Sequence, residues 1–160
     1  MDKIDRLLKN ELYISCMERI KKAEKERIFC LHGIEHSLDV ARICYITSFE
    51  QGLNIDKEII YATALLHDIG RCVEYESNIS HHAAGEPIAR QILCECGFSD
   101  GDADIICDAI ASHKSRSDDS KNALKKLLFT ADKLSRNCFS CEASDKCYWP
   151  FEQKNKSITI

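Results

Sequence analysis

The stretch that most constrains this chain is YATALLHDIGR, residues 61–71. It reads as an apolar helix ending in His67-Asp68. An imidazole beside a carboxylate at the end of so apolar a run needs a buried partner to offset desolvation. A metal ion satisfies both groups at once. His67 has Thr63 and Ala64 one turn back and Ile60 two turns back, so it lies on the face that points into a helical core. A histidine alone on such a face is more often a core residue bonded to a backbone carbonyl. The metal reading therefore needs other polar residues pointing the same way.

The rest of the chain reads as a succession of helices. Residues 2–27 carry Ile4, Leu7, Leu8, Leu12, Ile14, Met17 and Ile20 amid Lys and Glu, an amphipathic helix or helix pair that flanks the core. A second helix runs over about residues 34–52 and stops at Gly52, with His36 on the face of Val40, Ile43, Cys44 and Thr47. Asp56 caps a third, which carries His67-Asp68 and ends near Gly70. The pattern breaks over residues 77–80, then HHAAGEPIARQILCECG resumes helical spacing to Gly97. Pro87 either sits in the first turn of a helix starting near Glu86 or kinks a helix that starts earlier.

Asp100, Asp102 and Asp104 crowd the next helix start, where negative charge suits the dipole, and they lack the downstream glycine and glutamate of an EF-hand. His113 closes a stripe with Ile105, Ile106, Ala109 and Ile110. Residues 112–122, SHKSRSDDSKN, are the most polar loop and read as a mobile flap. A last helix over about residues 120–136 buries Leu124, Leu127, Leu128 and Ala131, with Asp132 at the edge of that stripe. No strand-like alternation or repeat interrupts the series, so the fold class is all-α.

The 160 residues suffice for one domain that closes its core without staples, so a metal here would serve function rather than folding. The start, MDKIDRLLKN, is charged from its second residue, which predicts neither a signal peptide nor a membrane span and places the protein in the cytoplasm. Ten cysteines in such a chain read as reduced thiols. A net charge of −4 argues against an extended nucleic-acid surface, but a small phosphorylated ligand fits, because bound cations would reverse the charge locally.

Collected together, the inward-pointing polar residues are His36, His67, Asp68, one of His81 and His82, His113 and Asp132. One shared cation site explains all of them, whereas separate hydrogen bonds would require a costly coincidence. The order H, HD, H, H, D resembles the HD superfamily of metal-dependent phosphohydrolases. The matching segments are EHSLDVARI at His36, ALLHDIGR at His67-Asp68, HHAAGEPIARQIL at His81, AIASHK at His113 and LLFTADKLSR at Asp132.

The two extra histidines look like the binuclear branch, which includes diadenosine tetraphosphate hydrolases, HD-GYP phosphodiesterases and a few diiron oxygenases. The resemblance implies an HD-domain helical bundle over residues 1–136, with its core motif at 34–136. It implies one metal on His36, His67, Asp68 and Asp132, and a second on His81 and His113 with Asp68 bridging. Between His81 and His82, the family's histidine precedes a glycine by four positions, as His81 precedes Gly85. If helical spacing passes through Pro87, His81 also aligns with Gly85, Ile88 and Ile92, while His82 aligns with Glu86 and Arg90. His81 is the choice on both counts.

Imidazoles with two carboxylates suit a pair of divalent transition metals, Fe, Mn, Ni, Co or Zn, better than Mg or Ca. Such ions polarise a phosphoryl oxygen and activate a water, which points to hydrolysis of a phosphoester or phosphoanhydride in a nucleotide or other small phosphorylated molecule. A diiron oxygenase on the same ligands and a non-catalytic metal- or nucleotide-sensing module are the alternatives, and an oligomer is compatible with all three. Arg71 could grip a substrate phosphate or answer a helix C-terminal dipole. Lys114, Arg116 and Lys133 are weaker phosphate-contact candidates for which surface solvation is the better explanation, and His32, one turn before His36, is a rim residue or a further ligand. The GYP signature is absent after His113. The sequence after Asp132, LSRNCFSC, also departs from the diadenosine tetraphosphate hydrolases.

Residues 137–160 change character and form a Cys-rich tail expected to pack on the domain. Cys138, Cys141 and Cys147 could wrap zinc or an iron–sulfur cluster, but a closed site takes four ligands. CFSCEASDKC resembles the last three cysteines of the iron–sulfur loop of endonuclease III-type DNA glycosylases. Cys30, Cys72, Cys94, Cys96 and Cys107 are the candidates for the fourth. The alternative is three reduced thiols in a tail whose Phe139, Trp149 and Phe151 pack on the bundle.

Overall fold

The computed structural model describes residues 1–112 and 122–159, and there it is built of helices without strands. Helices α1 (Asp2–Leu7) and α2 (Glu11–Ala23) form the N-terminal pair. They are followed by α3 (Ile34–Glu50), α4 (Lys57–Leu66), α5 (Arg71–Ser77), α6 (His81–Glu95), α7 (Asp100–Ser112) and α8 (Ala123–Leu134). The expectations placed on His113, Lys114, Arg116 and the polar flap lie outside the described residues.

Local chemistry sets the boundaries. Asn10, Asp56 and Asn122 each accept a backbone N–H of the first turn that follows, at 3.0, 2.7 and 3.0 Å. Gly52 closes α3 at φ +63°, a left-handed conformation that lets the Leu53 N–H reach the Ser48 carbonyl at 3.0 Å.

Helix α4 is the central element, and its two sides feed two apolar clusters. Ala62, Leu65 and Leu66 meet Leu7, Ile20, Ile92, Leu93 and Ile106 from α1, α2, α6 and α7. Ile60 and Ala64 meet Val40, Leu124 and Leu128 from α3 and α8. A helix covered on both sides has no room for a polar face, which explains the unbroken apolar run before His67. Trimming Leu65 or Leu66 to alanine would cost about 2–5 kcal/mol. Helices α1 and α2 do more than flank this core, since Ile4, Leu7, Tyr13, Cys16 and Ile20 are part of it.

Helix α6 begins at His81, not near Glu86, and continues through Pro87. The proline deprives the Ala83 carbonyl of its helical donor, and both residues are exposed, so water can replace that bond.

After α8 the chain makes three short 3₁₀ turns, Cys138–Ser140, Ser144–Lys146 and Phe151–Gln153. Asn155 Nδ2 ties this irregular tail to the end of α8 by donating to the carbonyls of Lys133 at 2.8 Å and Arg136 at 2.7 Å. Among the described residues, no helix is long and apolar enough to cross a membrane.

Candidate metal centre

His67 and Asp68 leave α4 in a tight turn. His67 is the C-cap of α4, the Ile69 N–H bonds the Leu66 carbonyl at 3.1 Å, and Gly70 opens α5. Ile69 is buried and anchors the turn in the core. Gly70 is required by space rather than by its φ of −68°: a Cβ there would stand 2.1 Å from the His81 carbonyl oxygen and 2.5 Å from the Gly85 nitrogen. This close crossing sets the first turn of α6 directly on the His67-Asp68 turn, and His81 with it.

Three histidines surround the carboxylates of Asp68 and Asp132. His67 Nε2 is 3.1 Å from Asp68 Oδ2 and 4.0 Å from Asp132 Oδ1, and His36 Nε2 is 3.8 and 3.3 Å from the same two oxygens. His81 Nε2 is 3.6 Å from Asp68 Oδ1. One donor atom each from His36, His67 and Asp132 lie within 4.8 Å of one another. His32 stands behind His36, ring to edge at 5.9 Å, and His82 stacks against His81 at 3.8 Å.

These three rings and that of His32 are each fixed through Nδ1. His67 Nδ1 lies 2.7 Å from the Ala64 carbonyl, His81 Nδ1 2.9 Å from Glu74 Oε2, and His36 Nδ1 3.2 Å from Ser135 Oγ, while His32 Nδ1 bonds Glu24. Carbonyl and carboxylate oxygens only accept, so Nδ1 carries the proton in His67, His81 and His32. For His36 the same tautomer follows from Arg136 Nη2, which donates to Nε2 at 3.1 Å, and from Ser135 Oγ, which gives its proton to the Asp132 carbonyl at 2.8 Å. Orientation through Nδ1 turns Nε2 toward the carboxylates and is characteristic of metal-ligating histidines. At His36 a metal would displace the Arg136 donor from Nε2.

The electrostatics suit a cation. Burial pushes the Asp68 carboxyl up, but His67 and Arg71 outweigh it and hold the group well below the usual carboxylate range. Asp132 is depressed in the same way by His36, His67, Arg136 and Lys133. Burial pushes His36 down to about 4, against the pull of Asp132, so its imidazole is neutral as a ligand must be. Burial also pushes His67 down, but Asp68 and Asp132 outweigh it and raise the group, so a metal there would displace a proton. Two ionised, buried carboxylates among oriented imidazoles therefore fit a divalent metal ion by donor chemistry. Arg136 Nη2, 3.0 Å from Asp132 Oδ1, places the chain's own positive charge on these donors.

The family of metal-dependent phosphohydrolases called the HD domain matches residues 33–137. The chain belongs to the HD domain family. An uncharacterized protein of Clostridium beijerinckii is 39% identical over 158 residues, 99% of each chain. Ribonuclease Y of Mycoplasma mycoides is 30% identical over 104 residues, 65% of this chain and 22% of its own. Ribonuclease Y of Desulfotalea psychrophila is 35% identical over 102 residues, 64% of this chain and 18% of its own. This HD protein thus aligns with about a fifth of the ribonuclease Y chains. No solved structure matches it.

Arg71 departs from one expectation. It is the first residue of α5, where a helix dipole disfavours a cation, so a C-terminal dipole does not explain it. Its Nε donates to Asp68 Oδ1 at 2.8 Å and its Nη1 reaches Glu74 Oε2 at 3.5 Å. Lys133 Nζ sits 2.8 Å from Asp132 Oδ2 and over the rings of Phe129 and Trp149.

Glu24, Glu74, Ser135 and Arg136 had no role in the sequence reading. Ser135 and Arg136 lie three and four residues after Asp132 on one helical turn, a spacing that could have marked them. Glu24 and Glu74 carry no comparable signal, because their partners meet them only in the fold.

Proposed function

We propose that this HD protein is a metal-dependent phosphohydrolase that cleaves a phosphoester or phosphoanhydride of a nucleotide or other small phosphorylated molecule. The carrying observation is the convergence of His36, His67 and Asp132 to within 4.8 Å, with Asp68 against both His36 and His67. One divalent ion would be held by His36, His67, Asp68 and Asp132, and a second by His81 and His113 with Asp68 shared. The ions supply Lewis acidity toward a phosphoryl oxygen and a water made nucleophilic at neutral pH. The chain's residues do the positioning. Glu24, Glu74, Ser135 and the Ala64 carbonyl fix the imidazoles, and Arg71 holds the Asp68 carboxylate. The names of the ribonuclease Y relatives favour a phosphodiester among the substrate classes, while the net charge of −4 favours a short substrate over a long nucleic acid.

The test is turnover of anaerobically purified protein, loaded separately with Mn, Fe, Co, Ni or Zn, against bis-p-nitrophenyl phosphate, dinucleotides, mononucleotides and short RNA. Release of product that disappears in a folded Asp68→Ala variant supports the reading. Turnover that consumes oxygen, or none with any metal and substrate while metal is bound, would refute it.

A further inference from the structure

We propose that Cys30, Cys138, Cys141 and Cys147 together ligate an iron–sulfur cluster of the [4Fe–4S] type beside the carboxylate pocket. This site stands apart from the hydrolase reading and does not depend on it.

The sequence leaves three local thiols and five candidates for a fourth. The fold selects one. A cavity of about 340 Å³ is lined by Cys138, Cys141 and Cys147 from the tail and, across from them in sequence, by Cys30 from the loop after α2. Cys72, Cys96 and Cys107 are instead buried in the apolar core, and Cys94 lies exposed on α6. The loop and tail are held face to face: Phe29 meets Tyr148 edge-on at 6.3 Å, and Arg136 Nη1 donates to the Leu31 carbonyl at 3.4 Å.

The tail's own construction calls for a staple. None of its three 3₁₀ turns buries a residue, Phe139 and Phe151 are 46% and 66% exposed, and Trp149 is half-buried beside Lys133, so apolar packing on the bundle holds the tail at few points. A segment without an apolar core is commonly held by a metal or a cross-link. The turns place the thiols for this purpose. Cys138 opens the first, Cys141 is the cap that follows it, and Cys147 is the cap that follows the second.

Spacing separates a cluster from a single zinc ion. Zinc with bonds of about 2.3 Å in a tetrahedron holds its thiolates about 3.8 Å apart. Among the described residues, no trio of thiols closes to within 4.8 Å as His36, His67 and Asp132 do. A four-iron cluster takes one thiolate per iron and spreads them more widely. Four thiolates leave such a cluster with net negative charge, and Arg136 and Lys154 line the same cavity to oppose it, with Asp39 the carboxylate among its walls. His36 also lines it, so the cluster would adjoin the HD site.

The experiment is acid-labile sulfide and metal analysis of the full chain after anaerobic reconstitution with equal ferric and ferrous iron and sulfide. It includes Cys30→Ala, Cys138→Ala and, as a control, Cys94→Ala, with helical circular dichroism on each. Sulfide reports only the cluster, whatever metal fills the HD site. About four sulfides per chain are expected in wild type and Cys94→Ala, with a visible absorption that dithionite bleaches. Both are expected to fall at least several-fold in Cys30→Ala and Cys138→Ala while helicity holds. Zinc bound without sulfide and lost with the cysteines would overturn the cluster, as would wild type that takes up neither. Full sulfide in Cys30→Ala alongside its loss in Cys138→Ala would overturn Cys30 as the fourth ligand.

Discussion

Glu74 receives the Nδ1 edge of His81 at 2.9 Å and its backbone N–H at 3.1 Å, so one carboxylate at the middle of α5 sets both the ring and the start of α6. Burial raises the Glu74 carboxyl, but the His81 bonds lower it further, which keeps it an acceptor. Replacing Glu74 by alanine is expected to weaken metal binding about 10- to 100-fold, with glutamine restoring part of it. Metal titration followed by calorimetry checks this, and unchanged affinity in both variants would remove Glu74 from the site.

Gly70 and Gly85 face each other and should respond unequally. A Cβ on Gly70 would press into backbone at 2.1 to 2.8 Å, whereas one on Gly85 would meet its neighbours at 3.5 Å or more. Gly70→Ala is expected to cost about 3 kcal/mol and to displace His81, while Gly85→Ala should cost under about 1 kcal/mol. Urea denaturation of the two variants measures the difference. Equal stability would mean that the turn and α6 do not cross this closely.

Arg71 is engaged with Asp68 and Glu74, which makes it a positioning residue for the carboxylate. Arg71→Lys keeps the charge but not the fork that spans both partners. Under the hydrolase reading kcat should fall by up to about 100-fold with KM little changed. A rise in KM at constant kcat would instead assign the guanidinium to the substrate.

Glu24 links acid stability to the histidine cluster. Burial pushes its carboxyl up, yet bonds from His32 and Tyr75 hold it down to about 2, below its ordinary 4.5. A depressed carboxyl stabilises the fold fully above the unfolded value and loses that contribution as pH falls through the folded one. Wild type should therefore exceed Glu24→Gln by about 1–2 kcal/mol near neutrality, allowing for solvent screening. The gap should close between pH 4.5 and 2. Denaturation of both proteins across that range is the check, and a gap independent of pH would contradict it.

What the sequence made legible was periodic. His36, Asp132 and the run before His67 stood out because each sits on an apolar helical stripe, and those stripes are the ones buried against α4. Pro87 concealed the start of α6, since proline ordinarily opens a helix and here sits inside one where water can serve the freed carbonyl. Glu24 and Glu74 were hidden for a different reason. In sequence they are single carboxylates among many, and only folding brings them to His32 and His81. Cys30 stood among five candidate thiols, and nothing along the chain singled it out, because no local pattern relates a loop thiol to a tail more than a hundred residues away.

The measurement that tests the account most directly is metal content of anaerobically purified wild type beside Asp68→Ala and His81→Ala, counted apart from any sulfide-associated iron. About two ions per chain are expected in wild type, about one in His81→Ala and almost none in Asp68→Ala, because Asp68 faces His36, His67 and His81 together. Equal loss in both variants would contradict the division of ligands, and full retention in a folded Asp68→Ala would contradict the centre itself.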